Sequence, residues 1–157
     1  MHPTLFIHGL DSSSQGTKAR YFKKRFPKMI IPDFSGSFTA RMTSFQEIST
    51  DISKFILIGS SFGGLMATVF TMQKPEKVLR LILLAPALNF PDFDHYPVSK
   101  ISAPTLICIG KNDTVTPLEK VLPKAESIFT NIEKLVVDDD HLLRKSFTAI
   151  DWFSLLV

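Results

Sequence analysis

Short apolar runs that alternate with amphipathic stretches are the feature that most constrains the fold of this chain. Each run is dominated by Ile, Leu, Val or Phe, without a clean two-residue alternation of apolar and polar side chains. Continuous apolarity of this kind predicts strands that are buried on both faces, as in a central parallel sheet. The sequence contains six such runs, at residues 4–7, 28–31, 54–58, 78–84, 104–109 and 132–137.

The stretches between the runs predict crossover helices, which is the pattern of an α/β fold. We expect helices at residues 16–25, 45–52, 62–73, 117–129 (broken near Pro123) and 142–155. The prediction is one three-layer α/β/α domain, residues 1–157, around a mostly parallel open sheet of about six strands in the order 2-1-3-4-5-6. That order reverses the winding between the first and third strands, where open α/β sheets bind ligands at the carboxyl ends.

Composition excludes several other classes of protein. Hydrophobic residues make up 45% of the chain and charged residues 21%, which is typical of a globular protein and not of a disordered one. A net charge of +3 is too small to indicate a nucleic-acid partner. Cys108 is the single cysteine, no apolar run reaches the length of a membrane span, and no leader pattern precedes the first run. We therefore expect a soluble cytoplasmic protein with no membrane or nucleic-acid partner.

The third run leads into a motif that carries chemistry. Residues 59–64 read Gly-Ser-Ser-Phe-Gly-Gly and fit the pattern G-x-S-x-G with Ser61 at its centre. A serine on so tight a strand-to-helix turn needs very small flanking residues, and Gly59 and Gly63 supply them. Ser60 does not fit, because its own flanks are Ile58 and Phe62. The plainer interpretation is a Gly-Ser turn that only starts a helix.

The first run ends at His8-Gly9-Leu10, a second element of the same kind of site. In this architecture the backbone N–H after the first strand and the N–H after the nucleophile form an oxyanion hole. The pattern therefore predicts the Leu10 and Phe62 amides as the oxyanion donors. His8 is either a base or a hydrogen-bonding residue of the loop, and the second interpretation is favoured.

Acidic and imidazole side chains follow the last two runs. Asp113 lies in the turn 110–117, and His141 follows three aspartates at 138–140, so the order along the chain is Ser61, Asp113, His141. That is the order of catalytic residues in α/β-hydrolases. The plainer interpretations are a turn-forming Asp113 and a solvated acidic loop. A metal site in the acidic run is disfavoured, because adjacent residues diverge and no further His or Cys lies nearby.

The residues quoted above resemble the α/β-hydrolase superfamily over nearly the whole chain. The opening residues 5–13, Leu-Phe-Ile-His-Gly-Leu-Asp-Ser-Ser, with Lys18-Ala19 in the first helix, resemble small lidless bacterial serine esterases. The resemblance implies a minimal α/β-hydrolase fold without a lid domain. It further implies Ser61 as the nucleophile, His141 as the base and Asp113 as the acid that orients it.

The sequence thus predicts hydrolysis of a small carboxylic ester or thioester through an acyl-enzyme, with no metal or organic cofactor. An acyltransferase or perhydrolase would use the same residues, and a ligand-binding protein on this fold is the alternative from another class. The irregular segment 86–99 is expected to line the substrate pocket with Phe90, Phe93 and Tyr96. The natural substrate and the oligomeric state stay open.

Overall fold

A computed structural model describes residues 2–157 of the chain. Within that range, one sheet of five strands is parallel throughout, and the strands lie side by side in chain order. The strands are β1 Thr4–Ile7, β2 Phe55–Ser60, β3 Val78–Leu84, β4 Thr105–Gly110 and β5 Ile132–Val137. The α-helices are α1 Thr17–Arg25, α2 Phe38–Ser49, α3 Phe62–Gln73, α4 Leu118–Ile128 and α5 Trp152–Leu156. Short 3-10 helices lie at Pro75–Lys77, Pro91–His95 and Phe147–Ala149.

Helices cover both faces of the sheet, which confirms the three-layer α/β/α prediction. Leu5 and Ile7 of β1 join a buried cluster with side chains of α2, α3 and α4. Phe6, between them, joins the cluster on the opposite face with side chains of α1 and α5. Successive strand residues point to opposite faces, so the central strands need apolar side chains at nearly every position.

The run at 28–31 does not become a strand, so the described sheet has five strands instead of about six. Only Ile30 pairs with β1: its N–H donates to the Thr4 carbonyl at 2.9 Å, and its carbonyl accepts from the Phe6 N–H at 3.0 Å. Pro27 and Pro32 flank the run closely, and proline has no N–H to extend the ladder. Ile30 nevertheless lies beside the first strand, where the predicted strand order placed this run.

Two helices differ from the expected bounds. Helix α2 begins at Phe38 instead of residue 45, because Ser37 caps it by accepting a hydrogen bond from the Ala40 amide at 3.2 Å. Helix α4 runs through Pro123 without a break. Pro123 lies on the exposed side, where water can satisfy the carbonyl it leaves free, and the opposite side packs into the core. Across residues 2–157, no helix has the length and apolarity needed to cross a membrane.

The expected helix at 142–155 is wrong for most of its length. The chain there forms turns, a 3-10 helix and only the five-residue α5. The side chain of Asp139 accepts hydrogen bonds from the Lys145 and Ser146 amides, both at 2.9 Å, and this folds the segment around a carboxylate. The Lys145 and Ser146 amides are thus bonded to Asp139 and not to a preceding helical turn, so the apolar periodicity does not produce a helix here.

Strand β5 lies at one edge of the sheet, as the predicted order has it, but most of its residues are exposed, whereas the apolar run predicted burial on both faces. Cys108 lies on β4 and is fully buried. Burial raises the pKa of its thiol to about 11, and the nearby Asp139 carboxylate adds to this effect. The thiol thus behaves as a small apolar side chain of the core.

Candidate active site

The turn between β2 and α3 holds Ser61 in a conformation that side chains rarely adopt. Its backbone angles are φ 54° and ψ −116°, and it is the residue directly before α3. Hydrogen bonds fix the residue on both sides: its N–H donates to the Leu84 carbonyl at 2.9 Å, and its carbonyl accepts from the Gly64 and Ala87 amides at 2.9 and 3.0 Å. The strained turn is thereby fastened to β3 and to the segment that follows it.

Gly59 and Gly63 are required by close packing around this turn. A Cβ on Gly59 would overlap the Gly63 carbonyl oxygen, and a Cβ on Gly63 would overlap the carbonyl oxygens of Ile7 and His8. Helix α3 can approach the ends of β1 and β2 only because both side chains are missing. The predicted tight strand-to-helix turn, the elbow of residues 59–64, is therefore present in the structure.

The three side chains singled out in the sequence form one hydrogen-bonded chain. The Oγ of Ser61 lies 2.9 Å from Nε2 of His141, and Nδ1 of His141 lies 2.8 Å from Oδ2 of Asp113. Parallel strands end at the same edge of the sheet, so the loops after β2, β4 and β5 meet there. With its Nδ1 facing a carboxylate, the neutral imidazole carries its proton on Nδ1 and presents the Nε2 lone pair to the serine.

Asp113 is fully buried, and its carboxylate is well supplied with donors. Oδ1 accepts from the Val115 and Thr116 amides, both at 2.8 Å, and Oδ2 accepts from the Thr116 hydroxyl at 2.7 Å. Burial acts to raise the pKa of Asp113, but the bonds from Thr116 and His141 outweigh it and hold that pKa below its usual range. The group is therefore an anion that accepts the hydrogen bond from Nδ1 of His141.

Asp139 fixes the loop that carries His141. Besides the Lys145 and Ser146 amides, its carboxylate accepts from the Asp140 amide at 2.8 Å. Burial acts to raise the pKa of Asp139, and these amide donors lower it further than burial raises it. The end of β4 also packs closely against this loop: a Cβ on Gly110 would overlap the Asp139 carbonyl oxygen.

The two backbone amides expected to form an oxyanion hole belong to Phe62, the residue after Ser61, and to Leu10 in the loop after β1. Across residues 2–157, neither the Leu10 nor the Phe62 amide donates a hydrogen bond. Phe62 is the first residue of α3, where helix amides are free and the helix dipole is positive. Leu10 follows β1 and lines the same cavity as Ser61. Both amides are thus available to an anionic oxygen.

His8 sets the orientation of the Leu10 amide. Nε2 of His8 accepts from the Phe34 amide at 2.9 Å, so Nδ1 carries the proton and donates to the Gly9 carbonyl at 2.7 Å. That carbonyl shares a planar trans peptide with the Leu10 N–H, so fixing one fixes the direction of the other. Nε2 is used by Phe34, and the Asp33 carboxylate 3.9 Å away accepts from Ser14 instead. His8 is therefore a residue of the loop and not a free base.

Arg41 touches both residues of the expected oxyanion hole, and no sequence pattern marked it. Its guanidinium lies 5.5 Å from the centre of the Phe62 ring, and its Nη2 donates to the Leu10 carbonyl at 3.5 Å. The side chain is buried, and Nη1 has no hydrogen-bond partner in the part of the chain that the structure describes. Burial lowers the pKa of Arg41, an effect that the charge of Asp11 opposes. A positive charge thus lies directly behind the loop of Leu10.

A cavity of about 620 Å³ opens onto Ser61 and His141. Of the three aromatic residues expected in its wall, Phe90 lines the cavity, whereas Phe93 and Tyr96 lie outside it. Phe93 is buried in the core, with the Lys124 ammonium 5.4 Å from its ring centre, and Tyr96 packs edge-on against Phe38. Within residues 2–157, no group of three His, Cys, Asp or Glu side chains is arranged to hold a metal ion.

A sequence profile of the alpha/beta hydrolase fold matches residues 8–97, more than half of the 157-residue chain. The chain belongs to the alpha/beta hydrolase family. The matched region of this alpha/beta hydrolase includes the elbow and the loop of Leu10, and it ends before Asp113 and His141.

Solved structures share the fold at low sequence identity. Est1E from Butyrivibrio proteoclasticus, in a structure with ferulic acid bound, superimposes with a TM-score of 0.80 at 14% identity, covering 99% of this chain and 88% of that one. Alpha/beta hydrolase domain-containing protein 10 from mouse gives a TM-score of 0.77 at 19% identity, covering 97% and 89% of the two chains.

One curated relative is more similar in sequence. It is a protein of Oryza sativa subsp. japonica named "Probable 1-acylglycerol-3-phosphate O-acyltransferase", 37% identical over 114 residues. The match covers 59% of this chain and 27% of the rice protein. The alpha/beta hydrolase described here thus spans about a quarter of the length of that relative.

Gly63→Ala tests the packing at the elbow. We expect the added methyl group, which overlaps two carbonyl oxygens, to lower the free energy of unfolding by about 2 kcal/mol or more. Gly9→Ala is the matched control, because its Cβ would meet its nearest atoms at 3.5 and 3.6 Å and should change stability by less than about 1 kcal/mol. Urea unfolding of both variants measures the difference, and equal stabilities would show that the close approach of α3 is not needed.

Asp139→Asn tests the carboxylate that folds the His141 loop. The pKa of Asp139 is lowered in the folded chain, so its stabilising effect is present above the usual carboxyl range and is lost as the pH falls through the folded pKa. We expect the variant to be less stable than the native chain at neutral pH, because an amide NH2 replaces one accepting oxygen. The difference should shrink in acid, as urea midpoints at about pH 7 and about pH 3 would reveal. Asp138→Asn, at an exposed neighbour, is the matched control and should stay close to the native chain in stability at about pH 7.

Proposed function

We propose that this chain is a serine hydrolase that cleaves small carboxylic esters or thioesters through an acyl-enzyme on Ser61. The observation that carries the proposal is the hydrogen-bonded chain from the Ser61 Oγ through His141 to the buried Asp113 carboxylate, at 2.9 and 2.8 Å. Nucleophile, base and orienting acid in such contact are the arrangement that activates a serine hydroxyl.

In the proposed acylation step, the Ser61 Oγ attacks the carbonyl carbon of the ester while Nε2 of His141 takes the hydroxyl proton. The carbonyl oxygen becomes an anion, which the Leu10 and Phe62 amides stabilise. The C–O or C–S bond then breaks, and His141 returns the proton to the leaving alcohol or thiol. Asp113 keeps the imidazole in the correct tautomer and stabilises its charged form.

Deacylation repeats these steps with water as the nucleophile. His141 takes a proton from water, hydroxide adds to the acyl carbon, and the bond to Ser61 Oγ breaks as the serine is reprotonated. The carboxylic acid leaves, and the enzyme is regenerated. Phe90 lines the cavity and supplies apolar surface for the substrate in this proposal.

Acyl transfer is the second candidate, and it is favoured by the name of the rice relative, a probable O-acyltransferase. The same acyl-enzyme would then pass its acyl group to an alcohol instead of water, and a perhydrolase would use hydrogen peroxide. Product analysis with and without an added alcohol separates the activities, because only transfer yields a new ester. A protein that keeps the fold to bind a ligand without turnover is the alternative from another class.

Ser61→Ala is the direct test of the nucleophile. We expect kcat to fall by about 10³- to 10⁶-fold with the fold intact, because alanine fits the elbow and only the reacting oxygen is lost. A fluorophosphonate should label the native chain and fail to label the variant, as intact-mass measurement would show. Ser60→Ala is the matched control at the neighbouring serine and should keep both labelling and turnover. A Ser61→Ala variant within tenfold of native activity would contradict the assignment, and an unlabelled native chain would favour a ligand-binding protein.

The connection between β3 and β4 predicts the size of substrate. Segment 86–99 contains three prolines and a single 3-10 helix, Pro91–His95, which is too little chain for a cap over a long acyl group. We expect the best esters to have acyl groups of about two to six carbons, with no increase in rate at lipid interfaces. Rates on p-nitrophenyl and CoA esters of graded length measure this preference. A rate that rises steadily with chain length, or jumps when the substrate forms micelles, would show that another chain completes the pocket.

A further inference from the structure

The cavity above Ser61 is lined by more positive than negative side chains. Lys18 of α1 and Arg144 of the loop after His141 both line it, and Asp11 is the one carboxylate among its lining residues in the part of the chain that the structure describes. Ser12, Thr17 and Thr148 add hydroxyl groups to the same lining. The proposed hydrolysis of a neutral ester uses none of these charges.

Neither cation is neutralised by a carboxylate in direct contact. Within residues 2–157, no Asp or Glu oxygen lies within 4.0 Å of the Lys18 ammonium or the Arg144 guanidinium, and the Arg144 side chain makes no hydrogen bond. Nζ of Lys18 donates to the Leu142 carbonyl at 2.7 Å, which leaves two of its three N–H groups free. Cationic donors that line a cavity and have no carboxylate in direct contact are suited to an anionic ligand.

The two acids whose charges act on Lys18 both accept hydrogen bonds from backbone amides. The Asp139 carboxylate accepts three backbone amides, and the Asp140 carboxylate accepts the Leu142 amide at 3.0 Å. Burial lowers the pKa of Lys18 despite the charges of Asp139 and Asp140, and the charge of Arg144 lowers it as well. Lys18 and Arg144 line the same cavity, so an anion bound beside both would lessen the repulsion between their like charges.

We propose that the substrate of this site carries an anionic group, a carboxylate or a phosphate, which binds to Lys18 and Arg144 while its ester carbonyl lies at Ser61. This inference rests on the proposed hydrolase function, and it narrows the substrate class to esters or thioesters that bear a negative charge. The hydroxyls of Ser12, Thr17 and Thr148 lie in the same lining and add neutral donors to a group with several acceptor oxygens.

Paired substrates test the proposal at both ends of an ester. One pair is 4-acetoxybenzoate and its neutral methyl ester, with the charge on the alcohol side; the other is monomethyl adipate and dimethyl adipate, with the charge on the acyl side. For each pair, the measured quantity is the kcat/KM of the anionic ester divided by the kcat/KM of the neutral ester. This ratio is compared between native and variant chains, because the difference in chemical reactivity between the two esters is the same for every chain and cancels. We expect Lys18→Gln and Arg144→Gln each to lower the ratio of at least one pair by about fivefold. About 0.5 M KCl should lower the same ratio in the native chain.

The matched control variants remove the same positive charge at positions that do not line the cavity. Arg20→Gln on α1 and Lys145→Gln beside Arg144 remove exposed cations that do not line the cavity, and they should keep the native ratios. Ratios unchanged by Lys18→Gln and Arg144→Gln in both pairs would overturn the proposal, as would an equal drop in the two controls.

A binding measurement separates this proposal from the hydrolase function. The Ser61→Ala variant retains the cavity without turnover, so calorimetry can compare its affinity for 4-acetoxybenzoate and monomethyl adipate with that for their neutral esters. We expect at least one anion to bind about fivefold more tightly, and the advantage to vanish when Lys18→Gln and Arg144→Gln are added. If the native chain hydrolyses no ester but this advantage is found, the hydrolase proposal fails and the anion site stands. Equal affinities would overturn the anion site even if neutral esters are hydrolysed.

Discussion

The close approach of helix α3 to the ends of β1 and β2 is the constraint on which the site depends. Gly63 lies against the carbonyl oxygens of Ile7 and His8, which allows the chain to turn at Ser61 with a positive φ. The same contact sets the distance between the two loops that carry the Leu10 and Phe62 amides. Ser61 and the Leu10 and Phe62 amides therefore share one rigid support, whose strain is balanced by hydrogen bonds from three segments.

Around this support, hydrogen bonds from backbone amides hold the buried carboxylates in place. Asp113 and Asp139 are both buried carboxylates held by amides of their own loops, and neither depends on a cationic partner for its donors. Such loops are ordered by local hydrogen bonds instead of by regular helix, which suits short connections at a sheet edge. His141 is positioned between two such carboxylate-centred loops, one of which it touches through Nδ1.

The sequence predicted the parts of the molecule that rest on strong local rules. Continuous apolar runs indicated the parallel strands, and the glycines around Ser61 indicated the elbow. Apolar patterning failed at residues 28–31, where flanking prolines stop pairing, and at 142–155, where Asp139 binds amides that a helix would use. Arg41 was missed because it contacts Leu10, a residue far away in the sequence. Thr116 was missed because its contact with Asp113 depends on the direction of its hydroxyl group. Neither kind of contact leaves a periodic signal in the sequence. Phe93 and Tyr96 show that an aromatic residue near a predicted site can pack in or against the core instead of lining the cavity.

The burial of Cys108 has a practical consequence for observing motion in this molecule. It is the single cysteine of the chain, and with a pKa of about 11 in a sealed core it presents almost no thiolate to a maleimide near neutral pH. A cysteine introduced on the surface, for example at Lys145, would then be the one thiol to react. A fluorophore or spin label could then be attached to the His141 loop of an otherwise native chain, and its signal would report the surroundings of that loop directly in solution.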